Sequence, residues 1–388
     1  MQRLNQNSLQ QDVIPLFKPL IERDELDAAR MALELGWLGM GSLVASFEEQ
    51  LKSFIGGDGR HVAAVSTGHA ALHLGLLLAG VGPGDEVVTA SFNNAADFQA
   101  ILAAGAEPVL CDIDDRSLCI DLDQAERVLS PRVKAIIVMD YDCMLCDHAR
   151  VAQFATAHGL RVVHDAAHSF GSRYQGKTIG SFSDLTVFSF DPIKTITCID
   201  GGAIVMRSEE ELRRVHAMRL LGMTQPMEAL YANSRASTYD IEAIGFRYHM
   251  ANLHAAVGLA QLAKFDTISE SRRRACRYYN QHLGKISEIR VPLTDFEDIT
   301  PFLYYIRVPS RRRDALRGDL QDHGIETGVH WQPAHWLTRF KNCRRGDLTT
   351  TDAVGTEIMS LPLHSNMSVE TLDRVIDKVT RFFAGSGG

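Results

Sequence analysis

Lys194 sits in the run Phe188-Ser-Phe-Asp-Pro-Ile-Lys-Thr-Ile-Thr-Cys-Ile-Asp-Gly-Gly202, a few residues past the end of an apolar stretch of strand character. Ser189 precedes it and a glycine pair follows it. Its neighbours Pro192, Ile193 and Ile196 are apolar, and a lysine desolvated among such residues has a lowered pKa and becomes a nucleophilic amine. Upstream, Arg161-Val-Val-His-Asp-Ala-Ala-His168 brings Asp165 to the end of a second apolar stretch, with His168 three residues on. A third segment, Ser66-Thr-Gly-His-Ala-Ala-Leu72, opens a helix with small residues. Such a start leaves free N–H groups and the positive end of the helix dipole for a phosphate. An amine that condenses with an aldehyde, an acid that keeps a ring nitrogen protonated and a phosphate cradle are the minimum equipment for pyridoxal phosphate (PLP) chemistry.

Taken singly, each feature has a plainer reading. Ser-Thr-Gly is an ordinary helix cap, an Asp after a strand often caps the next helix, and most lysines are surface residues. The order Asp165, Ser189, Lys194 at successive strand ends is far more specific than any member of it.

These residues need a scaffold that delivers strand ends to one crevice. Strand candidates are Glu86–Thr89, Pro108–Cys111, Ala135–Met139, Arg161–His164, Leu185–Phe190 and Ala203–Met206, rich in Val, Ile and Phe and nearly continuous, as strands buried on both faces are. Helix candidates Ala70–Leu78, Ala95–Ala104, Leu122–Leu129 and Ala149–His158 precede and separate them. This alternation predicts an α/β fold with a mostly parallel sheet wrapped on both sides, its ligand at the carboxyl ends of the strands. Helices follow over Glu209–Leu220 and Asn252–Lys264, Gly222–Asp240 reads as an irregular exposed loop, and an Arg-rich helix over Ser269–Leu283 leads out of the large unit. A strand at Phe302–Val308 and helices at Arg311–His323 and Val369–Phe383 suggest a smaller C-terminal α/β domain. The expected division is 13–250 for the large cofactor-binding domain, 251–285 for connecting helices and 286–388 for the small domain. The Ala-Gly-Ser-Gly-Gly tail reads as frayed.

The chain is 388 residues long, with 45% hydrophobic and 23% charged residues, enough for two globular units. A net charge of −8 argues against a broad nucleic-acid surface, so an anionic substrate must meet local positive groups. The polar N-terminus has no signal-peptide core, and no apolar run reaches membrane-spanning length, so the expected location is the cytoplasm without membrane partners. Seven scattered cysteines fit reduced thiols. Cys143-Met-Leu-Cys146-Asp-His148 has the look of half a zinc site but lacks a matching second pair, so these read as loop residues after a strand and no metal is expected.

The same segments resemble the DegT/StrS family of aminotransferases, often called sugar aminotransferases, of the aspartate aminotransferase fold (fold type I). The likeness covers nearly the whole chain. It begins at Ile14-Pro-Leu-Phe-Lys-Pro19 and Gly36-Trp-Leu-Gly-Met-Gly41 and continues through Gly82-Pro-Gly-Asp-Glu-Val87, Ala106-Glu-Pro-Val109 and Asp112-Ile-Asp114. It includes His164-Asp-Ala-Ala-His168, Gly180-Ser-Phe-Ser-Asp184 and the Lys194 segment, and ends with Gly245-Phe-Arg-Tyr-His-Met250, His330-Trp-Gln-Pro333 and Leu361-Pro-Leu-His364. The resemblance implies a seven-stranded sheet sandwiched by helices. It implies that Lys194 holds the PLP aldehyde covalently and later moves a proton, that Asp165 pairs with the ring nitrogen, and that His168 sits near the phenolic oxygen. Phe92 would stack on the ring, with core packing as the alternative. Thr67, Gly68 and Ser189 would hold the phosphate, and His69 would belong to the cofactor site. In a homodimer with shared sites, Arg247 would reach the neighbour's phosphate, while Trp37, Gly39, Met40 and His330 would line the substrate pocket.

Three positions depart from the family's usual pattern: His69 stands in place of Thr, Arg247 and His249 replace Asn and Arg, and Asp142-Cys143 replaces Tyr-Gly. The implied reaction moves an amino group from an amino acid, glutamate being the expected donor, to the ketone of a nucleotide-linked deoxysugar in amino-sugar biosynthesis, whether for lipopolysaccharide or antibiotic. A keto-cyclitol or free ketosugar acceptor and a non-catalytic PLP-binding sensor stand as alternatives. Lys194 argues against a PLP-dependent sugar dehydratase, whose members lack that lysine.

Overall fold

The computed structural model describes residues 13–224, 227–234 and 238–385. The last tail residues, where fraying was expected, lie outside the described residues, as do Gln225, Pro226 and Arg235 to Ser237.

Seven strands build the central sheet: β1 (His61–Val65), β2 (Glu86–Ala90), β3 (Glu107–Cys111), β4 (Val133–Met139), β5 (Arg161–Asp165), β6 (Leu185–Ser189) and β7 (Gly202–Met206). Their order across the sheet is β1-β7-β6-β5-β4-β2-β3. Only β7 runs against the rest, pairing antiparallel with β1 on one side and β6 on the other. The remaining neighbours are parallel, including β4 with β5 and β5 with β6. Both faces are covered, as the continuous apolar strands predict. Val163, Val187 and Ile204 face a cluster with Leu72, Leu74 and Ile101 from the helices Gly68–Leu78 (α1) and Ala95–Ala103 (α2). Their strand neighbours Phe188, Ala203 and Val205 face Phe47, Phe170 and Phe265 on the other side. The period of two along each strand therefore sets which functional side chain meets which layer.

The six strands read from the sequence are present within a residue or two, and β1 is an addition. His61-Val-Ala-Ala-Val has two alanines in five residues, a weak strand signal. It is an edge strand on β7, buried under the helix Ser42–Ile55. Helices Arg23–Glu34 and Ser42–Ile55 are likewise additions to the sequence reading. The expected irregular loop at Gly222–Asp240 is corrected. Its described residues include the short antiparallel pair Met223–Thr224 with Asp240–Ile241 and a helix at Met227–Tyr231. Leu230 there is buried and Tyr231 Oη accepts from Arg219 Nη2 at 2.9 Å. A buried arginine thus anchors a segment whose composition reads as loop.

Beyond Phe265–Leu283, strands β8 (Tyr304–Arg307) and β9 (Ile358–Leu361) pair antiparallel, with helices Ser310–Asp322 and Val369–Ala384 nearby. Tyr279 stacks on Tyr304 at 4.7 Å, and one apolar cluster runs from Val88 and Ile136 to Ile358 and Val379. No helix among the described residues is long and apolar enough to cross a membrane.

Candidate active site

β5 ends at Asp165 and β6 at Ser189, side by side in the parallel part of the sheet. Asp165 shares strand parity with Val163, so it faces the α1 layer, while His164 points to the opposite layer. A cavity of about 440 Å³ opens there. Thr67, Gly68, His69, Asp165, His168, Ser189 and Lys194 all line it, so seven of the expected residues meet in one place.

The part of the cavity at the start of α1 is built by backbone closeness. Thr67 caps α1 by accepting the Ala70 N–H at 2.9 Å. A Cβ on Gly68 would stand 2.6 Å from the Ser189 Cβ, so only glycine lets the helix start lie against the end of β6. On the other side, a Cβ on Gly202 would stand 2.4 Å from the Thr67 carbonyl oxygen. The glycine after the lysine loop is thus what lets β7 slide under the loop that follows β1. His69 Nδ1 lies 3.2 Å from the Ala96 carbonyl oxygen, which ties this residue to α2.

Lys194 follows a turn in which its N–H donates to the Asp191 carbonyl at 3.0 Å. Its Nζ sits 4.2 Å above the centre of the Phe302 ring. Burial pulls the ammonium below the ordinary lysine range, and Asp165, followed by Asp142, Asp191 and Asp97, pulls the other way. The net lowering moves the amine toward the neutral, nucleophilic form.

Asp165 accepts the Ala167 N–H at 2.9 Å and is also in contact with a second buried carboxyl, Asp97. His168 is packed between Phe302, at 4.5 Å between ring centres, and Trp331, at 5.6 Å. Its burial, with the charge of Lys194, holds it well below the usual histidine range, so the ring is neutral. His168 Nδ1 lies 2.9 Å from Asp142 Oδ1, outside hydrogen-bond alignment, and neither oxygen of Asp142 has a hydrogen-bond partner. Burial pushes the Asp142 carboxyl up to about 7, against the opposing pull of His330 and Lys194.

Behind β5, Asp140 joins His148 Nε2 at 3.0 Å and His164 Nε2 at 2.7 Å, and accepts from Ser169 Oγ at 2.7 Å and from the Cys146 N–H at 2.9 Å. Burial alone would raise the Asp140 carboxyl, but His148 and His164 more than offset it and hold it well below the carboxylate range. The ligand atoms of Asp140, His148 and His164 lie close enough for a metal ion, yet every one is engaged in this hydrogen-bond network. Cys143 and Cys146 turn their thiols to the carbonyls of Leu303 and Met139.

The other expected residues fall elsewhere in the single chain. Phe92 is wholly buried with its ring 5.2 Å from Tyr141, and it is not part of the cavity lining. Trp37, Gly39, Met40, Arg247 and His249 line a separate cavity of about 310 Å³. His330 lies against Phe17 and bonds Ser360 Oγ at 2.9 Å. Trp331, Phe302, Asp97 and Asp142 are site residues that the sequence reading did not include. The first two come from the far C-terminal segment; Trp331 carried a signal as part of the His330-Trp-Gln-Pro333 motif and Asp142 as a departure from the usual pattern.

The cavity fits PLP. The Thr67 and Ser189 side chains, the N-terminus of α1, the Lys194 amine and the Asp165 carboxyl all line it. Its volume lies within the range of small-molecule sites. The sequence profile of the DegT/DnrJ/EryC1/StrS aminotransferase family matches residues 19–380. The spore coat polysaccharide biosynthesis protein SpsC of Bacillus subtilis (strain 168) is 30% identical over 382 residues, covering 96% of this chain and 98% of SpsC. The aminotransferase TlmJ from Streptoalloteichus hindustanus superposes with a TM-score of 0.89 at 29% identity, covering 97% of this chain and all of that one. The PLP form of Spr1654 from Streptococcus pneumoniae gives 0.87 at 26% identity, covering 96% and 99%. The chain belongs to the DegT/DnrJ/EryC1/StrS family and is a PLP-dependent aminotransferase.

Proposed function

We propose that this enzyme is a sugar aminotransferase. It takes an amino group from L-glutamate and delivers it to the keto carbon of a nucleotide-linked deoxysugar, in the cytoplasm, for amino-sugar biosynthesis. The observation that carries the reading is the meeting of Thr67, Gly68, Asp165, Ser189 and Lys194 around one cavity at the ends of β5 and β6. SpsC, a polysaccharide biosynthesis protein by name, supports a sugar acceptor.

In this reading, Thr67, Gly68 and Ser189 hold the phosphate and Asp165 holds the ring nitrogen in its protonated form. Bound in this way, PLP supplies an electron sink for the substrate's α-carbon. The Lys194 Nζ would condense with the cofactor aldehyde with loss of water and, once displaced by the substrate amine, would move the proton at the substrate's α-carbon. Phe302, Trp331 and the buried His168 exclude water from that amine. Arg247 belongs to the phosphate site of the neighbour in a homodimer, which agrees with its distance from the cofactor cavity of its own chain. The cavity that Arg247 shares with Trp37, Gly39 and Met40 receives part of the sugar nucleotide.

Incubating the purified enzyme with glutamate and a panel of nucleotide-linked ketosugars, with product analysis by mass spectrometry, tests this reading. An aminated sugar nucleotide is the expected product. Amination confined to free ketosugars or cyclitols would overturn the acceptor assignment. A PLP-bound protein inert to every amino donor would overturn catalysis itself.

A further inference from the structure

Asp97 lies in the first turn of α2 with no exposed surface. One oxygen, Oδ2, accepts from Asn93 Nδ2 in a short contact. That amide is fixed in orientation, because Asn93 Oδ1 accepts the Asn94 N–H at 2.6 Å while Nδ2 also donates to Thr89 Oγ1 at 3.2 Å. The other oxygen, Oδ1, meets no donor at all. The side chain in hydrogen-bonding contact with Asp97 is a second carboxyl, Asp165. Two ionised carboxylates are both acceptors and cannot bond each other, and their repulsion in a buried site is severe. The contact becomes favourable when one of the two carries a proton.

The surroundings decide which one. Asp165 accepts the Ala167 N–H and is the foremost attraction acting on the Lys194 ammonium. Asp97 has the Asn93 amide, the more distant Lys194 and the start of α2 in its favour. Against them stand complete burial and the charge of Asp165, which together outweigh them and raise the Asp97 carboxyl well above the usual range. We propose that Asp97 is a neutral, protonated positioning residue whose carboxyl O–H donates to Asp165, fixing the Asp165 anion in the orientation that meets the cofactor's ring nitrogen. This rests on the assignment of Asp165 above. A donor aimed at Asp165 satisfies one of its oxygens and restricts its side-chain rotation.

Two variants and two readouts test it. Asp97→Asn keeps a donor without an acid, and Asp97→Leu keeps the bulk without a donor. The infrared difference spectrum between the wild-type apoprotein and Asp97→Asn at neutral pH reads the proton directly. It is expected to show a protonated carboxyl C=O band, shifted by deuterium exchange, in the wild type only. In the holoenzyme, Asp97→Asn is expected to keep turnover within about threefold, while Asp97→Leu loses about tenfold or more and shifts the pH profile of the bound cofactor's visible absorbance. Absence of the carboxyl band overturns the proposal, whatever the enzyme's activity. So does an Asp97→Leu protein, folded by circular dichroism, whose absorbance profile and turnover match the wild type. A band that persists in a protein inert to amino donors would uphold the protonated pair while sinking the functional reading, so the two fail separately.

Discussion

The ammonium of Lys194 rests on the face of Phe302, 4.2 Å from the ring centre. Phe302 is supplied from just before β8, more than a hundred residues downstream, and its ring also stacks on Phe17 at 5.8 Å and packs on His168. The π-face attracts the ammonium, an interaction worth about 0.5–1 kcal/mol at exposed sites and more where the pair is shielded from water. The amine thus packs on an aromatic residue remote in sequence, while burial lowers its basicity against the opposing pull of the carboxylates around it.

Lys194→Ala removes that amine. Turnover is expected to fall at least about a thousandfold, since both covalent attachment and proton transfer are lost. The far-ultraviolet circular dichroism should match the wild type, because the lysine packs on a ring that stays in place. Transamination by the variant at a substantial fraction of the wild-type rate would remove Lys194 from the reaction.

Asp142 gives the protein a stability term that depends on pH. The Asp142 carboxyl titrates at about 7 in the folded chain and in the ordinary carboxylate range when unfolded. The folded state therefore holds the proton more tightly. Its contribution is complete at low pH and is lost as pH rises toward 7, by at most about 1.4 kcal/mol per pH unit. Asp142→Asn should lack this loss. Urea unfolding of the apoproteins from pH 5 to 9 should show the variant gaining on the wild type up to about neutral pH, then running parallel to it. Parallel curves throughout would mean that Asp142 stays ionised.

Gly202→Ala puts a methyl group 2.4 Å from the Thr67 carbonyl oxygen, which is backbone and cannot swing away. Crowding of this kind typically costs about 1–3 kcal/mol. The start of α1 is displaced with it, so cofactor affinity should fall about tenfold or more, measured by fluorescence titration of the apoprotein. Unchanged affinity would show that the loop after β1 does not hold the phosphate.

Arg247→Ala should weaken PLP binding, and a mixture with Lys194→Ala tests where the arginine acts. If each site takes Arg247 from the partner, a mixed dimer contains one intact site. Equal mixing with free subunit exchange should then restore about a quarter of wild-type activity. No recovery, with mixed dimers verified by mass spectrometry, would place Arg247 in the site of its own chain.

That Asp165, Ser189, Lys194 and the Thr67–Gly68 turn would converge was legible in the sequence, because each lies near the end of an apolar strand or at the start of a helix, where local pattern dictates position. The parallel strands were legible for the same reason. What escaped were contributions from afar. Trp331 reaches the cavity and Phe302 meets the Lys194 ammonium from the C-terminal segment, and the local sequence of neither points to Lys194. Asp97 reads as an ordinary first-turn acid of a helix, a position where acids are common, and only the tertiary fold sets it against Asp165. The edge strand β1 was invisible because alanine favours strands weakly, and its place depends on β7.

The lone antiparallel strand has a bearing on biogenesis. The Thr67–Gly68 turn directly follows β1, yet it is buttressed by β7, whose own sequence begins well over a hundred residues later. A chain leaving the ribosome has therefore made Thr67 and Gly68 long before the residue that props them. Vitamin capture must await closure of that long loop, and a nascent or truncated product ending before Gly202 would emerge unable to retain the coenzyme.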